Sequence, residues 1–107
     1  MNALDVDSFA SWLCEREHEM CGHAGMCFHD PLACFLSSIF GHVYGIDGFL
    51  YGPANAAYQQ WKLLPYWAKL YVAHMERIAF RPVTGAQALD ILADVELVLS
   101  AMRKRAA

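Results

Sequence analysis

The chain has 107 residues, of which 57% are hydrophobic and 18% charged, with a net charge of −3 at pH 7. This length predicts a single domain over residues 1–107 with one core, and the apolar composition excludes a disordered chain. The small negative charge excludes the basic surface of a nucleic-acid-binding protein, so no direct nucleic-acid binding is expected.

The first residues are acidic and carry no apolar run, so we expect no secretory signal. No window holds the roughly 18 uncharged apolar residues that a membrane span requires. We therefore expect a cytoplasmic protein that does not contact a membrane. Its four cysteines are expected to be reduced or bound to a metal.

Two helices are predicted in the first part of the chain. The first begins after Asp5 or Asp7, either of which can cap it, and ends at Gly22. The second begins at Asp30, with a proline in its first turn, and ends at Gly41. The apolar residues of the second helix follow the i, i+3, i+4, i+7, i+8 pattern of one helix face. They are Leu32, Phe35, Leu36, Ile39 and Phe40.

Residues 42–52 are predicted to form an antiparallel hairpin, because Asp47-Gly48 stands between two runs of β-forming residues. A two-residue turn at this position pairs Ile46 with Phe49. The large side chains that it places on one face of the hairpin are Tyr44, Ile46, Phe49 and Tyr51. This aromatic face either covers the helical core or forms a recognition patch.

After the hairpin, residues 58–63 fit either a third strand or a turn of helix. A central helix is predicted over residues 65–79, beginning at Pro65, because apolar residues cover most of its circumference. We expect the other elements to pack around it.

The last helix is predicted to begin after Thr84, with Gln87 as the capping-box partner. Its apolar residues extend beyond one seam, and Leu97 falls beside acidic residues on the side that should face water. The elements together predict an α+β fold, mostly helical, with about four helices and one small antiparallel hairpin.

Cysteine and histidine residues are dense between positions 14 and 34. Cys14, His18 and Cys21 are spaced i, i+4 and i+7, so they share one stripe of the predicted first helix. With Cys27 they supply the thiolate and imidazole ligands that tetrahedral Zn²⁺ prefers. No Cys-x-x-Cys knuckle is present, and the alternative is that the cysteines are small buried hydrophobic residues. The prediction is no cofactor, with a structural zinc as the alternative.

The same residues have the spacing of a Cys–His nucleophilic pair, at Cys14–His18 and His18–Cys21. Acidic neighbours on the first helix raise the pKa of a thiol, whereas an activated nucleophile needs a lowered pKa. The chain also has no phosphate-binding glycine loop and no serine elbow. We therefore predict no catalytic residues.

The order of motifs resembles that of small uncharacterised bacterial and phage single-domain proteins. In those proteins a Cys-rich turn leads into a helix like residues 30–33, and a short hairpin follows. A Leu-Pro-x-Trp-Ala helix corresponds to residues 64–68, and a Val-Thr-x-x-x-Ala-Leu helix corresponds to residues 83–89. These motifs are caps and core positions, so the resemblance implies no activity.

We expect a non-catalytic protein–protein binding module. Small acidic single-domain proteins without catalytic motifs are often phage-encoded inhibitors of host defence machinery, such as anti-CRISPR proteins, so this class of function is the one that we expect by analogy. The alternatives are a zinc-stabilised small regulatory domain and, third, a thiol enzyme. The expected partner is another protein or a second copy of the chain in a homodimer. The expected contact residues are Tyr44, Phe49, Tyr51 and Leu97.

Overall fold

The computed structural model describes residues 4–78 and 81–106. In chain order the elements are α1 (Val6–Cys14), β1 (Met20–His23), α2 (Pro31–Phe40), β2 (Tyr44–Asp47), β3 (Leu50–Pro53), a 3₁₀ turn (Tyr58–Gln60), β4 (Lys62–Leu63), α3 (Tyr66–Glu76), β5 (Pro82–Thr84) and α4 (Gly85–Ala106). The strands form two antiparallel sheets, β1–β5 and β2–β3–β4. The predicted α+β class with four helices is confirmed, and the sheet of β1 and β5 was not predicted.

Three helices begin at the predicted capping residues. An Asp5 carboxylate oxygen accepts a first-turn backbone N–H of α1 at 3.1 Å. An Asp30 carboxylate oxygen accepts the Leu32 N–H of α2 at 2.9 Å. Thr84 N–H donates to the Gln87 side chain at 2.9 Å, and Gln87 N–H donates to the Thr84 hydroxyl at 3.2 Å. Each cap satisfies backbone donors that have no partner inside the helix.

The first helix is shorter than predicted, because it ends at Cys14 and not at Gly22. Residues 15–19 form turns, and the Gly85 N–H at the start of α4 donates to the Arg16 carbonyl at 3.2 Å. A Cβ atom on Gly85 would lie 2.4 Å from that carbonyl oxygen, so the approach requires glycine. The Gly85 and Ala86 N–H groups also donate to the carbonyls of Glu19 and Glu17, so the start of α4 is bonded to the segment through which a longer α1 would continue.

The predicted hairpin forms, but its predicted register is wrong. Ile46 pairs with Tyr51 and not with Phe49. The two turn residues are therefore Gly48 and Phe49 rather than Asp47 and Gly48. Gly48 adopts the left-handed conformation, with φ of 58°, which glycine accommodates without steric cost.

The side chain of Trp61 accounts for the observed register. Gly45 lies opposite Gly52, and the indole covers both residues, so that a Cβ atom on Gly52 would lie 2.4 Å from the ring. The indole N–H also donates to the Pro53 carbonyl at 3.1 Å. In the predicted register Gly45 would face Leu50, and the leucine side chain would compete with the indole for this position.

Residues 58–63 adopt both of the alternatives, a 3₁₀ turn followed by β4, which pairs with β3. The predicted helix over residues 65–79 is observed as α3, with Pro65 as the residue before it. Ala79, the predicted last residue, lies outside the described residues. One face of α3 is buried, and the opposite face is exposed, so packing of the other elements around it is not confirmed. The buried residues are Ala68, Tyr71, Val72 and Met75.

The buried core draws on all four helices, and a cluster of rings joins three of them. The ring centroid of Phe9 on α1 lies 5.3 Å from those of Phe35 on α2 and Tyr71 on α3, and 6.0 Å from that of Trp67. Phe9 itself is fully buried. None of the described helices combines the length and the apolar character that crossing a membrane requires.

Candidate functional site

Exposed apolar side chains come together where the hairpin turn meets the start of α3. Phe49 in the turn is 65% exposed, and Leu63 on β4 is 68% exposed. The Leu64 N–H donates to the Phe49 carbonyl at 2.7 Å, which holds the turn against the segment that leads into α3. The Lys69 ammonium on α3 lies 5.7 Å from the centre of the Phe49 ring, within the range of a cation–π contact.

The same exposed region continues onto α4. The Tyr66 hydroxyl at the start of α3 lies 3.8 Å from the Met102 sulfur, and both side chains are exposed. Tyr66 and Lys69 are three residues apart on α3, so they share one helix face. Leu99 and Arg103 complete a shallow groove beside them. We refer to Phe49, Leu63, Tyr66, Lys69 and Met102 as the Tyr66 surface.

The Tyr66 surface has the chemistry of a contact site. Contiguous exposed apolar residues mark interaction sites more often than scattered single ones do, and aromatic side chains provide large contact area at low entropic cost. The charged groups at the surface are Lys69 and the adjacent Arg103, both cations. The arrangement can therefore bind apolar side chains accompanied by carboxylates.

The predicted contact residues do not form one surface. Phe49 belongs to the Tyr66 surface. Tyr44 and Tyr51 are half-buried and line a groove with Phe40, whose ring stacks on Tyr44 with centroids 4.5 Å apart. Leu97 on α4 is 69% exposed. At 100° per residue it faces about 140° away from the Met102 side of the helix.

The four predicted zinc ligands lie in different local environments. Cys14 is exposed at the end of α1, His18 is exposed in the turns that follow, Cys21 is buried in β1, and Cys27 is half-buried beyond it. The predicted zinc site needed Cys14, His18 and Cys21 on one face of a helix. That face is absent because α1 ends at Cys14. Within residues 4–78 and 81–106, no three His, Cys, Asp or Glu side chains are grouped to hold a metal ion. All four cysteines are free thiols.

Three of the four thiols are partly or fully buried, and each has a raised pKa. Burial raises the pKa of Cys21, of Cys27 and of Cys34. A nucleophilic cysteine needs the opposite shift, because the thiolate is the reactive form. These three side chains therefore have the properties of small packing residues.

A cavity of about 100 Å³ lies between the loop that precedes α2, helix α3 and the hairpin, with Asp30 in its wall. The Asp30 side chain is 4% exposed, and burial raises its pKa to about 7 against the lowering effect of hydrogen bonds from Leu32 and Gly25. The carboxylate of Glu76, which also lines the cavity, adds to the increase. Sequence identified Asp30 only as a cap, since its burial depends on the packing of α3.

This cavity is too small for a metabolite, because small-molecule sites usually measure about 300–1,000 Å³. It has room for a few water molecules. The cap that Asp30 provides for α2 accounts for a buried carboxyl group at this position. The nearby Tyr71 hydroxyl is buried and has no hydrogen-bond partner among the described residues. Its pKa is raised well above the usual value by burial and then by the Asp30 charge.

Comparison of the chain with protein-family models, with curated proteins and with solved structures found no match. The resemblance to small bacterial and phage proteins therefore stays a prediction, and function is inferred from the residues of the chain itself.

Proposed function

We propose that the protein is a non-catalytic module that binds another protein through the Tyr66 surface. The observation that carries this proposal is that the exposed side chains of Phe49, Leu63, Tyr66 and Met102 lie in one region, where Lys69 lies over the Phe49 ring and the Tyr66 hydroxyl lies 3.8 Å from the Met102 sulfur. Interface centres are enriched in aromatic residues and methionine, which matches this composition.

The charges around the surface favour one kind of partner. Lys69 lies over the Phe49 ring, and Arg103 lies in the groove beside Met102. These cations sit on a chain whose net charge is −3, so the positive charge is local to this region. A partner segment with apolar and acidic side chains would complement the surface in both shape and charge.

None of these contacts supports the narrower prediction of a phage-encoded inhibitor such as an anti-CRISPR protein, which came from the class of protein alone. We therefore propose protein binding and no specific target.

A displayed library of random peptides tests the proposal without requiring the natural partner. Peptides are selected on the immobilised wild-type protein alone, and each enriched peptide is then tested for binding to the variant Leu63→Ser/Tyr66→Ser. We expect enriched peptides that alternate acidic with large apolar residues. Their affinity for the variant should fall at least about tenfold, because the variant truncates two contact residues and each hot-spot truncation costs more than about 1 kcal/mol.

The matched control is Val43→Ser, which removes an exposed apolar residue outside the Tyr66 surface. It should bind the selected peptides as tightly as the wild-type protein does. Peptides that bind the wild-type protein and the Leu63→Ser/Tyr66→Ser variant equally well would reject the Tyr66 surface as the binding site.

A further inference from the structure

One side of α4 is exposed along the helix. At its beginning, Asp90 also lines a groove with Arg81. Four other exposed residues lie within about 40° of the direction of Leu97 around the helix axis, and the exposed Asp94 lies beside them. With Leu97, the five are Asp90, Ala93, Leu97, Ala101 and Lys104. Their spacings of three or four residues place them on a single stripe of the helix. We refer to these five residues as the Leu97 stripe. It faces away from Met102, so it is distinct from the Tyr66 surface.

α4 is also longer than the helices against which it packs. It has 22 residues, whereas α1 has 9 and α3 has 11. At 1.5 Å per residue α4 is about 33 Å long, roughly twice the length of either neighbour. Residues 101–105 are all exposed. Because Met102 and Arg103 contact α3 only at the exposed groove beside Tyr66, a further contact would stabilise the last turns of α4.

The charges of the Leu97 stripe have no ion-pair partner within the described part of the chain. Among residues 4–78 and 81–106, the one ion pair within 4 Å joins Arg16 to Glu15. Asp90 lies seven residues before Leu97, and Lys104 lies seven residues after it. Seven residues are almost two complete helical turns, so both charges point in nearly the same direction as the leucine.

We propose that two copies of the chain associate through their Leu97 stripes, antiparallel and related by a twofold axis at Leu97. In this arrangement, residues equally far before and after the leucine face each other across the interface. Leu97 meets its own counterpart, and Ala93 of one copy meets Ala101 of the other. Asp90 of each copy then lies opposite Lys104 of the other, which forms two ion pairs.

The side chains of the stripe select this arrangement over others. The small side chains of Ala93 and Ala101 leave room on either side of the paired leucines, so the two helix axes can lie within the usual packing distance of about 8–10 Å. A parallel pair would instead place Asp90 against Asp90 and Lys104 against Lys104, and like charges directly opposite each other repel. Charge therefore favours the antiparallel pair over the parallel one.

The dimer is expected to be weak, because Leu97 is the one large apolar side chain on the stripe. An interface of two single helices buries less than the roughly 1,200 Å² at which stable complexes begin. Association should therefore depend on concentration in the range from about 10 µM to about 1 mM, which sedimentation equilibrium covers.

Reciprocal charge exchange tests the proposed pairing. Asp90→Lys alone and Lys104→Asp alone should each weaken association by about 5- to 30-fold, because each turns both ion pairs into repulsive contacts. An equimolar mixture of these two variants should form a heterodimer of about wild-type affinity, since every pair is again of opposite charge. The double variant Asp90→Lys/Lys104→Asp should also associate as the wild-type protein does, which shows that the substitutions leave the helix folded.

Glu17→Lys makes the same charge change in the exposed turns after α1 and should leave the dimer unaffected. A wild-type protein that is monomeric at about 1 mM overturns the proposal. So do single variants that associate normally, or a mixture that stays monomeric. A dimer that survives the charge changes and is lost in Leu63→Ser/Tyr66→Ser places self-association on the Tyr66 surface instead. Because the two surfaces are distinct, loss of one role leaves the other testable.

Discussion

Two aromatic regions of the molecule differ in what surrounds each ring. In the ring cluster, which consists of Phe9, Trp12, Phe35, Trp67 and Tyr71, every ring has another ring centroid within 6.5 Å. On the Tyr66 surface, Phe49 has an ammonium group at 5.7 Å and Tyr66 has a sulfur atom at 3.8 Å, and much of each ring faces water. Similar side chains therefore stabilise the fold in one place and remain open for contact in the other.

Substitutions in the two regions should therefore change the free energy of unfolding by different amounts. The ring cluster should be sensitive to the loss of one ring, because the surrounding rings leave little freedom to close a cavity. The Tyr66 surface should tolerate the same loss, because water replaces the missing atoms.

The largest effect is expected for Phe9→Ala, in the centre of the ring cluster. Removal of a fully buried phenylalanine should lower the free energy of unfolding by about 3–5 kcal/mol, measured by urea denaturation. The matched control Phe49→Ala removes the same atoms from the Tyr66 surface and should cost less than about 1 kcal/mol. Equal losses for the two variants would remove the distinction between the regions.

The second effect concerns Asp30, the capping carboxyl beside the buried ring of Tyr71. Its pKa in the folded chain is about 7, above the ordinary value of 3.8. The neutral carboxyl is thus favoured by folding. This stability contribution is complete below about pH 4, decreases as the pH rises to about 7, and is absent above that. The unfolding free energy of the wild-type protein should fall over this pH window.

Asp30→Asn isolates this contribution, because asparagine retains the cap and cannot ionise. We expect the variant to be more stable than the wild-type protein at pH 8 by about 2–4 kcal/mol and to lack this pH dependence. Asp47, like Glu76, is an exposed carboxyl group that lines the cavity. The control Asp47→Asn should therefore keep the pH dependence of the wild-type protein. A pH profile of Asp30→Asn that matches the wild-type profile would show that another group is responsible.

A smaller effect is expected where the half-buried Trp61 covers the hairpin glycines. Gly52→Ala places a methyl group against the indole and should cost about 1–3 kcal/mol through overpacking. In the background of Trp61→Ala the same substitution should cost much less, because the colliding ring is gone. A double-mutant cycle on unfolding free energies measures this coupling. If the two losses are additive, the Trp61 indole does not limit which side chain position 52 can hold.

Features that depend on neighbours in sequence were the ones that could be predicted. The caps at Asp30 and Thr84 bond to backbone groups two or three residues away, so the starts of α2 and α4 followed from short motifs. The end of α1 could not be predicted in this way, because it depends on Gly85 at the far end of the chain. The hairpin register likewise depends on Trp61, which lies outside the hairpin.

The candidate site could be predicted only in part for the same reason. The aromatic content of the hairpin indicated Phe49, and helix periodicity placed Leu97 on the exposed side of α4. Tyr66 and Met102 were missed because they become neighbours only when α3 packs against α4. The zinc prediction assumed that α1 continues from Cys14 to Cys21, but the helix ends at Cys14. No local pattern at Cys14 signals that end.

The unfolding free energy of Leu63→Ser/Tyr66→Ser, measured in urea, tests the division between folding and contact most directly. Both side chains are exposed, so the Tyr66 surface should contribute little to folding. We predict a value within about 1 kcal/mol of the wild-type protein. A loss of about 3 kcal/mol or more, comparable to that of Phe9→Ala, would show that these residues belong to the core and would contradict their assignment to a binding surface.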